Sequence, residues 1–258
     1  MFYQRLGLTV SLVMLGLAFL PALELPVLGS PFGFSLSVRW LEALLLVCLA
    51  CVGSDLALSA HPLLRLKRRP AWAFWILPSL TVLLAALALP DYTERLLWLV
   101  GLAVSGAVLA LVIWAEYHTV SLDGPRYAPA RLTLDFVAYA LALAFCLSIY
   151  AGKPRSLIGV PAIGALSWLL SLELLRDAVP LRRAALYAFI AALVMGELFL
   201  ALNCLSLSAR RGGLLLFLAF YLLTGPARLA LSRHLRERAA IEFVLVGLAG
   251  LGLTLSFG

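Results

Sequence analysis

Long apolar runs, broken at intervals by charges, prolines and glycines, dominate the sequence. Nine of these runs approach the ~20 residues a helix needs to cross a bilayer: 6–27, 40–60, 71–89, 96–117, 132–150, 157–175, 184–205, 212–230 and 240–257. The pattern predicts an all-α, polytopic transmembrane helix bundle of about nine spans. Pro21, Glu24 and Pro26 interrupt the second half of the first run, so the count falls to eight if that run is not a full span. The connections are short, and none is long enough for a soluble catalytic domain. A single integral membrane domain over residues 1–258 is therefore expected, with any site built from helices and short loops.

Composition supports this picture. Of 258 residues, 64% are apolar or aromatic and 13% are charged, against roughly half and a quarter in an average soluble domain. That excludes an ordinary soluble fold, a disordered chain and a disulfide-stapled secreted domain. The net charge of +7 acquires meaning once it is laid along the spans. Arg5, Arg65, Lys67, Arg68, Arg69, Arg126, Arg131, Arg176, Arg182, Arg183, Arg228, Arg233, Arg236 and Arg238 fall on one side. Only Arg39, Arg95, Lys153, Arg155, Arg210 and Arg211 fall on the other. Basic residues mark the cytoplasmic face, which predicts a cytoplasmic N-terminus and removes nucleic acid as a partner. Trp40 and Trp98 at outer ends, with Trp72, Trp75 and Trp114 at inner ends, fit two interfacial aromatic belts.

Depth decides which polar groups need explaining, because an ionisable side chain in hydrocarbon is expensive. Asp135 and Glu242 lie in first turns, where the helix dipole favours a carboxylate. Asp55, Glu116 and Glu173 lie near C-termini, where it does not, and they call for basic partners from the inner connections. Glu197 is the deepest acid, thirteen residues into the seventh run from Ala184 and so ~20 Å along it. Asn203 lies near the end of the same run. His61, His118 and His234 have no spacing that suits a metal, and no metal or cofactor is expected. Cys48 and Cys51 form a C-x-x-C inside an apolar helix and read as packing residues. Pro78, Pro161 and Pro226 fall inside spans, where proline opens backbone groups. Gly247, Gly250 and Gly252 give the last span a small-residue surface. No nucleotide-binding, metalloprotease or serine-nucleophile motif occurs.

The string Glu116-Tyr117-His118-Thr119-Val120, then Arg126-Tyr127 and Ala130-Arg131-Leu132, resembles stretches of an uncharacterised family of bacterial multi-pass membrane proteins. So do Leu172-Glu173-Leu174-Leu175-Arg176 and Ala201-Leu202-Asn203. The resemblance covers roughly residues 110 to 240. It implies a bacterial inner-membrane protein and carries no activity, substrate or catalytic residue.

Three functions fit these features. The first is a small permease, or membrane component of a transport assembly, with a midplane cavity lined by Glu197 and Asn203 and hinges at Pro78 or Pro226. The second is an enzyme or binding protein at the cytoplasmic face. Glu116, Arg126, Arg131, Asp135, Glu173 and Arg176 would there hold an anionic lipid or other phosphate-bearing ligand. The third is a structural subunit with its polar groups paired between helices and a membrane protein as partner. In all three the surrounding partner is the lipid bilayer.

Overall fold

The computed structural model describes residues 2–19, 38–59, 71–91, 94–121, 124–152, 156–205, 207–231, 245–247, 249, 250 and 252. The helices are α1 (Phe2–Phe19), α2 (Val38–Leu58), α3 (Ile76–Ala88), α4 (Arg95–Thr119), α5 (Tyr127–Gly152), α6 (Ser156–Leu175), α7 (Leu181–Cys204) and α8 (Ala209–Leu231). Among the described residues seven of these are long and apolar enough to cross a membrane, and no strand is present.

The expected nine spans are therefore not all found. The third run is an apolar helix of 17 residues, Trp72–Ala88, shorter than the seven. It opens with a 3-10 segment, Ala71–Trp75, before α3 begins. Pro78 explains the change. It has no N–H to donate and its ring crowds the carbonyl of residue 74, so it is accommodated most easily in a first helical turn. Pro78 is accordingly the third residue of α3, not an interior hinge. The first run ends as described helix at Phe19, and Pro21, Glu24 and Pro26 lie outside the described residues. So does most of the ninth run, Glu242 included; Gly247, Gly250 and Gly252 are helical.

The chain divides into two compact units, Met1–Val137 and Ala138–Gly258, with the division inside α5. In the first unit α1 packs on α2 and α4, and α3 packs on both α2 and α4. Side-chain placement shows that α1 and α2 are antiparallel. Arg5 in the first turns of α1 donates to the Leu56 carbonyl at 2.9 Å and to Ser59 Oγ at 3.1 Å, at the end of α2. A cation there satisfies carbonyls that the helix itself leaves open. Phe2 stacks on Tyr117 at 3.9 Å and ties the start of α1 to the end of α4. Thr9 shares its hydroxyl proton between the Arg5 carbonyl and the Gly53 carbonyl, and Gly53 lets the two backbones come that close. Val13, Leu17, Leu46, Val82, Leu109 and Ile113 fill the core between the four helices.

In the second unit α6 and α7 make the most extensive helix pair, and α8 packs against both. The C-terminal half of α5 joins through Tyr150. Its hydroxyl donates to the Leu202 carbonyl at 2.9 Å, near the end of α7. Its ring meets Phe199 edge-on at 6.3 Å and lies directly against Gly212 of α8. At Gly213 the approach is backbone to backbone: an added Cβ would stand 2.8 Å from Leu147 Cα and 3.2 Å from the Cys146 carbonyl oxygen.

Neither atom can move without shifting α5. Gly213→Ala is expected to destabilise the second unit by ~1–3 kcal/mol, the usual range for overpacking. The thermal midpoint of the detergent-purified protein should fall measurably. Gly7→Ala, where nothing lies within 4 Å, should leave the midpoint unchanged or raise it.

Candidate functional site

In the first unit the predicted residues gather where α4 ends and α5 begins. Glu116 sits in the last turn of α4 and is fully buried. His118, one turn below Trp114, presents Nδ1 to the Trp114 carbonyl at 2.9 Å. A carbonyl only accepts, so Nδ1 carries the proton. Nε2 is then free to accept from Arg126 in a 3.5 Å contact. Arg126 is exposed and helps to close the turn between the two helices. Arg131 is buried and forms an ion pair with Asp135 at 3.1 Å, one turn along α5.

The second unit holds Glu173 and Arg176 at the end of α6. Both side chains are buried, and their ion pair spans 2.9 Å at i,i+3. The geometry answers an electrostatic problem. A carboxylate at a helix C-terminus faces the negative end of the dipole, whereas the arginine beyond it suits that end. Pairing the two removes the conflict. Asp55 is half-buried in α2; Glu42, which the pattern of runs did not single out, has a buried Oε1 with no hydrogen bond among the described residues.

Glu197 occupies a different environment. It is exposed, on the flank of α7, and borders a groove of about 380 Å³ between α6 and α7. The two helices run antiparallel, with Gly196 against Val160 and Gly164 against the Ala192 carbonyl. Small residues allow that close crossing, and they also leave the hollow beside it. Pro161, Trp168, Phe189 and Leu193 line it as well, and among the described residues Glu197 is the one charged side chain in its walls. Proline at 161 leaves the Leu157 carbonyl without its helical N–H.

Asn203 does not line the groove. Six residues further along α7 it is rotated by roughly 120° from Glu197, at about 100° per residue. It is exposed on another face. The expected site thus separates into its two members. What the apolar pattern hid was the hollow itself: Ala192-x-x-x-Gly196 and Gly164 are the small-residue signal that marks it.

Among the described residues no group of three or more His, Cys, Asp or Glu could hold a metal ion; His61 and His234 lie outside them. Cys48 and Cys51 are free thiols on α2.

An apolar helical bundle with seven helices of spanning length is the architecture of an integral membrane protein, and its surface is one that meets lipid. The family model described as "Protein of unknown function (DUF5656)" matches residues 18–257, and the chain belongs to that family. No curated protein and no solved structure matches the chain.

Arg176→Met removes the guanidinium beside a carboxylate that is almost completely buried. Breaking such a pair costs ~3–5 kcal/mol, and the variant should lose most of its thermal stability in detergent. Glu173→Gln combined with Arg176→Met should be the more stable of the two proteins, because no unpaired charge is created. A double variant as unstable as the single would refute the electrostatic account of this pair.

Proposed function

We propose that the protein is a small permease, or the membrane component of a transport assembly. It would be a single integral domain of a bacterial inner membrane, with its N-terminus cytoplasmic. The observation that carries this reading is the α6–α7 groove: a ligand-sized hollow on the flank of two apolar helices, bordered by Glu197. Volumes of this order are typical of small-molecule sites. An ionisable group placed away from the helix ends is a functional group by default. The basic bias of alternate connections supports the orientation provided the 17-residue third run also crosses. Pro226, inside α8, retains the hinge role that Pro78 loses.

The cytoplasmic-face reading is weaker. Arg131 and Arg176, the buried arginines meant for phosphate, are each engaged by a carboxylate.

The permease reading is tested by dye efflux from proteoliposomes. Ala165 lines the groove at an exposed position, so Ala165→Trp fills the hollow without disturbing the core. A panel of neutral and charged membrane-soluble dyes should contain at least one that leaves several-fold faster than from protein-free vesicles, and Ala165→Trp should remove that excess. Efflux at the protein-free rate for every dye, or an Ala165→Trp variant that transports normally, would refute it.

A further inference from the structure

We propose that the α6–α7 groove binds a lipid-soluble organic cation, with Glu197 as counter-ion and the rings of Trp168 and Phe189 as walls. The inference rests on the groove being the substrate site and names the class of substrate.

The first argument is charge. Glu173, the other singled-out acid described in the second unit, is held by Arg176 just beyond the end of its helix. Glu197 has no basic neighbour among the residues that line the groove. On α7 itself the nearest cations are Arg182 and Arg183, fourteen or more residues away and so ~20 Å along the helix. On α6, Arg176 lies beyond the last residue of the helix, eight residues past Trp168, and is paired; Lys153 and Arg155, just before the helix begins at Ser156, lie outside the described residues. Arg210 and Arg211 open α8, where Gly212 meets Tyr150. That ring packs on Phe199, which is fully buried on the face of α7 turned away from Glu197. Among the described residues, then, no basic side chain lining the groove competes with a ligand for the Glu197 carboxyl.

The second argument is depth. Glu197 is seven residues from Cys204 and sixteen from Leu181, or about 10 Å and 24 Å from the two helix ends. On α6 it is level with Val160, four residues from the start at Ser156, so Glu197 stands toward one end of the groove and Trp168 toward the other. The groove opens on the flank of both helices, and a cation that fills it must be soluble in hydrocarbon, with its charge spread over or shielded by apolar groups.

The third argument is the lining. Apart from Glu197 it is wholly aliphatic, aromatic or small. Trp168 and Phe189 are 38% and 57% exposed, so their faces are available to a ligand. Aromatic faces attract cations through the ring quadrupole, most strongly for Trp. One acid, two rings and an apolar floor match a bulky organic cation better than a neutral hydrocarbon, which would gain nothing from the acid.

The test uses the full chain in phosphatidylcholine nanodiscs and radiolabelled tetraphenylphosphonium as the probe. Binding should saturate. Glu197→Gln should weaken it at least tenfold, Glu197→Asp should restore it to within a few-fold of wild type, and Trp168→Leu should weaken it several-fold. Because Glu197 is exposed, the variants should remain monodisperse on size exclusion, and Ala165→Trp provides an independent block of the same hollow. Replacing phosphatidylcholine by phosphatidylethanolamine should leave the affinity unchanged. Equal binding by Glu197→Gln, equal displacement by neutral triphenylmethane, or competition by the ethanolamine headgroup would each overturn the cation assignment. If neutral dyes are still transported and blocked by Ala165→Trp, only the substrate class fails. If no dye is transported, the permease reading fails with it.

Discussion

The arrangement of this protein follows from the cost of an unmatched charge where water is scarce. Apolar helices supply no bulk solvent for an ion, so a buried one needs a partner within reach of its own helix or at the end of a neighbour. Arg131 with Asp135 and Arg176 with Glu173 are one-turn pairs, fixed by helix geometry before any tertiary packing occurs. Arg5 solves the same problem for backbone dipoles by capping carbonyls at the end of α2. These local solutions let the remaining surface of each helix stay apolar and free to pack.

Packing then depends on how closely the helices can approach, and small residues set that distance. Gly53 admits Thr9 between α1 and α2, while Gly212 and Gly213 admit the α5 backbone and the Tyr150 ring. Tyr150 is the most connected of these positions. Its hydroxyl satisfies a carbonyl near the end of α7, while its ring fills the space that Gly212 leaves on α8. The small residues of α6 and α7 also produce the hollow beside Glu197, so one packing device generates both tight contact and a cavity.

Much of this was legible from the chain. An apolar run marks each of the eight helices, and the bounds agree to within about five residues except at the end of α1, described to Phe19 against an expected 27, because hydrocarbon thickness and helix rise constrain length tightly. The shortfall at α3 was less visible, since Pro78 reads as interior until the 3-10 segment before it is known. The spacing of Glu173 and Arg176 already placed them one turn apart. Glu197 was legible as deep, but depth along a helix says nothing about its azimuth or about which neighbour leaves a gap. Asn203 does not join Glu197 at the groove for that reason: the run gives the depth of each, and the roughly 120° rotation between them puts them on different faces. The division inside α5 has no signature in hydropathy at all.

The groove opens along the flank of two apolar helices, not at their ends. If the helices cross a bilayer as proposed, its solvent is hydrocarbon, and a ligand would have to displace lipid chain from it. Occupancy becomes an exchange of one bilayer component for another, governed by the mole fraction of ligand in the membrane and not by its concentration in water. Two compounds of equal intrinsic fit would then rank by how well they partition. A lipid whose chain packs well against Gly164 and Gly196 would act as a competitor without resembling either of them.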